Sequence, residues 1–135
     1  MTMFVRRITI VNVRRPKQLS VNDELQWFGS SLGLFGERDK DKSCYRIFLE
    51  LIKAIKATGG LSSDELSERL SLTRATVIHH LNALMERGIV RHEGNKYVMR
   101  GERLSLLVDD LQRDMQRAME DMKMAAEELD RLLQL

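Results

Sequence analysis

The feature that most restricts this chain is a succession of capped segments between Ser43 and Met99. Ser43 stands where a helix cap would. Behind it Ile47, Phe48, Leu51, Ile52 and Ile55 form an apolar stripe at helical spacing, ended by Gly59-Gly60. Ser62 and Glu65 have the capping-box order, and a short helix with Leu66 and Leu70 inward follows. Ser71-Leu72 reads as a turn. Thr73 caps a third helix with Val77, Leu81 and Leu84 on its inner face, closed by Gly88. Ile89, Val90 and Arg91 are then separated by Glu93-Gly94-Asn95 from Lys96, Tyr97, Val98 and Met99, which is a β-hairpin pattern. Helix, helix, tight turn, helix, hairpin is the order of a winged helix-turn-helix. The expected fold class is mainly α with a small β wing.

Two extensions flank this block. Phe4 to Val13 alternates β-branched residues and reads as a strand, ended by Arg14, Arg15, Pro16 and Lys17, with Pro16 holding Arg15 extended. Asn22 or Asp23 can cap a short helix in which Leu25, Phe28, Leu32 and Phe35 recur, with Gly36 as its stop. Trp27 beside Phe28 suggests that this helix docks on something. The wholly charged linker Glu37 to Lys42 is expected to be exposed. The division expected is an N-terminal strand and helix over 1–42, the winged helix over 43–101, and a C-terminal dimerisation helix over 102–135.

In that last segment Leu104, Val108, Leu111, Met115, Ala118, Met122, Ala125, Leu129 and Leu132 alternate at spacings of four and three. That is a heptad seam with no proline or glycine to interrupt it. Leu107, Met119, Ala126 and Leu133 widen the stripe, so the helix can also pack on the N-terminal strand or helix, or build a thicker bundle. A small winged domain cannot bury so long an amphipathic helix, and a homodimer is expected. Met115, Met119, Met122 and Met124 are adaptable fillers more in keeping with core than with a ligand groove.

Composition narrows the class further. The 135 residues are 31% charged and 43% hydrophobic, which excludes wholesale disorder. No apolar run reaches membrane-spanning length, and the opening residues have no small-residue cleavage site. Cys44 is the single cysteine, which fits a reducing compartment, so a cytoplasmic location is expected. Net charge is +2 but unevenly placed: residues 1–21 carry five bases and no acid, 22–42 sum to −2, 43–103 to +3 and 104–135 to −4. A basic front with an acidic tail suits a chain that touches a polyanion with one part and itself with another.

The stretch from Leu61 to Met99 resembles the ArsR-like winged-helix family of prokaryotic regulators, archaeal members above all. The resemblance rests on Leu66, the turn Ser71-Leu72-Thr73, Val77, His80-Leu81, Leu84 and Gly88-Ile89-Val90. It implies double-stranded DNA as partner, a two-fold dimer, and often repression. One departure is clear. Metal-sensing members carry paired cysteines, or acids and histidines on the last helix, whereas here Cys44 stands alone and residues 104–135 hold no histidine. No metal or other cofactor is expected.

With Val77 at the centre of the buried face, Ala75, His79, Asn82 and Glu86 lie opposite, flanked by Arg74 and Thr76. The first two turns of a recognition helix reach base edges, which selects Arg74, Ala75, Thr76, Ile78 and His79, with Asn82 at the limit. Arg74 suits guanine, Ala75 or Thr76 a thymine methyl, and His79 a base or phosphate. A surface ion pair to Glu68 is the competing role for Arg74. Two roles are open to Ile78: packing on a neighbouring helix or reading thymine methyls. The amides at Thr73 favour a phosphate, and Arg91, His92, Asn95 and Lys96 supply a wing that grips the backbone or enters a minor groove. Arg6, Arg7, Arg14 and Arg15 can lie along DNA, or their strand can join a partner sheet or cross a dimer. An interaction module within a transcription-related assembly is the alternative reading. No nucleophile–base pair, phosphate-binding glycine loop or paired-carboxylate pocket speaks for an enzyme.

Overall fold

The computed structural model describes residues 6–15, 17, 20–36, 38–57 and 59–135. Phe4, Pro16 and Glu37, which figured in the expectations above, lie outside them. Five helices and a hairpin follow one another: α1 (Val21–Ser31), α2 (Ser43–Ala57), α3 (Ser63–Leu70), α4 (Arg74–Glu86), β1 (Val90–Glu93), β2 (Lys96–Met99) and α5 (Leu104–Leu133). They form two compact units, one reaching to Arg100 and the other starting at Gly101.

In the first unit α2, α3 and α4 enclose a core of Ile47, Phe48, Leu51, Leu66, Val77, Leu81 and Leu84, all essentially without solvent exposure. The caps follow the expected chemistry. The Ser62 hydroxyl accepts from the Glu65 amide while the Glu65 carboxylate accepts from the Ser62 amide, a complete capping box. The Glu65 carboxyl is held below its usual range chiefly by that bond to the Ser62 backbone. Ser71 ends α3 in the left-handed region at φ 54°, which turns the chain sharply into Thr73, the cap of α4. β1 and β2 pair antiparallel from Val90–Met99 to Glu93–Lys96. Gly94, at φ +63°, opens their two-residue turn, the conformation that only glycine adopts without cost. Leu61 adds an isolated antiparallel bridge to Tyr97, with bonds of 3.0 and 2.7 Å, which hooks the segment before α3 onto the wing.

Three expectations are corrected. First, residues 6–15 form no strand. Their amides go to helix ends instead: Arg7 donates to the Glu86 carbonyl at 2.9 Å and Val11 to Ser31 at 2.8 Å. Each acceptor is the last residue of its helix, where carbonyls lack an internal partner. Second, α1 is capped by Ser20, whose hydroxyl accepts from the Asp23 amide, and it stops at Ser31 because Gly33 turns at φ +73°. Phe35 lies past the helix and meets the Tyr45 ring at 4.6 Å. Third, the charged linker is not wholly exposed. The Asp39 side chain is only 14% exposed, and its two oxygens accept from the amides of Ser43 and Cys44 at 2.9 Å each. Asp39, not Ser43, therefore caps α2.

The second unit is α5, a helix of 30 residues and so about 45 Å long. Leu107 and Leu111 are its buried residues. Beyond Leu111 its residues are exposed apart from a half-covered Asp114, and they include Met115, Met119, Met122, Leu129, Leu132 and Leu133. Among the described residues, no helix is long and apolar enough to cross a membrane.

Candidate nucleic-acid interface

The rotation of α4 is set from its inner face. Val77, Leu81 and Leu84 are wholly buried, so Ala75, His79 and Asn82 must face outward, and all three are exposed. At the leading end the Thr73 hydroxyl accepts from the Thr76 amide at 3.1 Å and donates to the Thr76 hydroxyl at 2.8 Å. Thr76 is half-buried and its hydroxyl is already engaged, which leaves its methyl as the group best placed to meet a base. Arg74 pairs with Asp64 at 3.7 Å, not with Glu68. Both side chains are over 70% exposed, so the pair holds the guanidinium by less than about 1 kcal/mol and yields to a better acceptor. Ile78 is half-buried and lines an open hollow of about 520 Å³ with Arg74, Ala75, His79 and Asn82. That hollow is the outer surface of α4 itself, and it brings five of the six residues expected to read bases into one patch.

The wing is less uniform. Asn95 is exposed at the turn, and Arg91 is exposed with an ion pair to Glu93 at 3.2 Å. The His92 ring lies flat on Tyr97, centroids 4.3 Å apart and planes within 2°, so its imidazole is part of the hairpin's own packing. Lys96 is half-buried near Glu65. Two basic side chains, Arg91 and Lys96, thus flank one small polar tip.

His80 points away from that outer surface. Its side chain is 15% exposed and its Nε2 lies 4.0 Å from Asp39. Burial lowers its pKa, partly opposed by the Asp39 carboxylate, and neighbouring His79 lowers it further. The two imidazoles meet edge-on at 5.2 Å. Among the described residues no three histidine, cysteine or acidic side chains are grouped to hold a metal. Burial pushes the Cys44 thiol up to about 11, against a smaller opposing pull from Arg87.

Two of the N-terminal arginines make surface ion pairs within the chain. Arg7 pairs with Glu86 at 2.9 Å, and Arg15 pairs with Glu24 at 2.9 Å while lying over the Trp27 ring. Arg87, which sequence reasoning passed over, donates to the Gly33 carbonyl at 2.6 Å and fastens the end of α4 to the turn after α1.

With this geometry in hand, likeness to known proteins adds one observation: residues 49–91 match a family model described as winged helix-turn-helix DNA-binding. The fold is a winged helix-turn-helix. The matched residues run through α2, α3, α4 and the start of β1, so they contain the whole outward patch. No curated protein and no solved structure matches the chain.

Proposed function

We propose that the chain is a homodimeric transcriptional regulator of ArsR-like type that binds double-stranded DNA with sequence preference. In this reading α4 enters the major groove and the β1–β2 wing lies on the backbone or in the minor groove. The observation that carries it is the patch Arg74, Ala75, Ile78, His79 and Asn82. It combines a guanine-type donor, two apolar groups sized for thymine methyls, and two adaptable polar side chains on one rigidly oriented helix face. Its small net charge favours reading over gripping, and Thr73, Arg91, Asn95 and Lys96 supply backbone contacts at its borders. The dimer is supported by α5, whose seam residues Met115, Met122, Leu129 and Leu132 are 39–64% exposed in the single chain. Two copies of the seam cover each other as a coiled coil and present the reading patch twice.

The interaction-module reading draws on the acidic tail and on the helix that carries Trp27. Here the Trp27 indole donates to the Val13 carbonyl at 3.1 Å under Arg15, so the ring already has its occupant. Selection of bound duplexes from a random pool, followed by anisotropy titration, tests the DNA reading. A recurrent two-fold motif is expected. Equal retention of all sequences at low salt would refute sequence-dependent binding.

A further inference from the structure

Thr76, His79 and His80 line a second hollow of about 520 Å³, on the other flank of α4 from the patch described above. Its opposite wall is the loop before α2, with Arg38, Lys40 and Asp41 on the rim. This loop is pinned at several points. The Asp39 amide donates to the Gly36 carbonyl and the Lys42 amide to the Asp39 carbonyl, both at 3.1 Å, and Lys42 adopts a left-handed φ of 56°. The Asp39 carboxylate caps α2 and faces His80, so it is turned inward and its charge is used there. Arg38 and Lys40 on either side of it are exposed. The loop thus turns Asp39 in and leaves Arg38, Lys40 and Lys42 out with a single exposed acid among its described residues, Asp41, beside the leading turns of α4.

We infer that the loop from Arg38 to Lys42 belongs to the DNA interface and clamps a backbone phosphate with Arg38 and Lys40. The inference rests on α4 reading DNA as proposed above. A helix seated in a major groove has a phosphate backbone along each flank, and cations fixed beside its first turns meet that backbone. The wing serves one border of the patch. The loop serves the other, through a segment outside the residues matched by the family model. Because Asp39 anchors the loop to α2, the backbone that carries the two bases is fixed before binding.

The test is the salt dependence of binding to a selected duplex and to an unrelated one, measured by anisotropy for the wild type, Arg38→Ala/Lys40→Ala and Arg38→Lys/Lys40→Arg. The alanine pair should weaken both duplexes alike, by about tenfold at moderate salt, and make the slope of log K against log salt shallower by about two. The charge-preserving pair should restore the slope. Wild-type binding with an unchanged slope in the alanine pair overturns the loop's role alone. Failure of the wild type to bind either duplex overturns the reading of α4 and the loop together. Coincident thermal melts show that the variants keep the fold, since Asp39 is untouched.

Discussion

Arg74 is the only lysine or arginine within α4 and its side chain is 72% exposed, so discrimination should hang on it disproportionately. Arg74→Ala is expected to relax preference at one base pair per half-site, at a cost of about 1–3 kcal/mol, as read from competition titrations with single-base variants of the selected site. His80 predicts a different dependence. Its folded-state pKa lies below the ordinary value, so the unfolded chain takes up that proton first. Stability from this residue is therefore whole above about pH 6.5 and falls as the pH drops toward the folded value. Melts between pH 7 and 5 should show this fall, and His80→Asn should flatten that part of the curve. Cys44 should resist alkylation in the folded protein at neutral pH, since burial suppresses its thiolate. Labelling as fast as that of a free thiol would contradict the buried placement.

Among the elements, α2 depends on a residue four positions ahead of it. Asp39→Ala removes both cap bonds and should cost about 0.5–2 kcal/mol in denaturant unfolding, with faster amide exchange at Ser43 and Cys44. Asp39→Asn, which keeps an acceptor, should lose less. Such a cap was hard to find in the sequence because Ser43 offers a conventional candidate at the helix start, and only the folded turns at 36–42 bring Asp39 back onto it. The elements from Ser62 to Met99 were legible for the opposite reason. Their signals are local: Ser62 and Glu65 are three residues apart, Thr73 caps its own helix, and Gly94-Asn95 makes its own turn. The alternation from Phe4 to Val13 misled because a strand needs an edge to pair with, and alternation says nothing of one. Glu86, on the same face by period, is half-buried, but the outward placing of Ala75, His79 and Asn82 followed from helical period alone. The stacking of His92 on Tyr97 and the pairing of Arg7 with Glu86 did not, since each depends on which partner another element delivers.

At the scale of the molecule, the seam of α5 leaves Met115, Met122, Leu129 and Leu132 exposed, and dimerisation is its test. The wild type should scatter as twice 15.7 kDa at micromolar concentration. Met122→Glu/Leu129→Glu should return it to one chain and weaken binding to a two-half-site duplex far more than to a single half-site, because linked binding multiplies two modest affinities. A wild-type mass of one chain would sink the dimer.

The amide bonds from Arg7 to Glu86 and from Val11 to Ser31 also bear on the order of assembly. During synthesis Arg7 precedes its acceptor at Glu86 by roughly eighty residues, so this early residue waits for one of the latest partners in the winged unit. Val11 can dock once α1 is made, but the Arg7 amide should gain its protection from exchange only after α4 has formed. Its docking would then serve as a natural reporter that the recognition helix is complete.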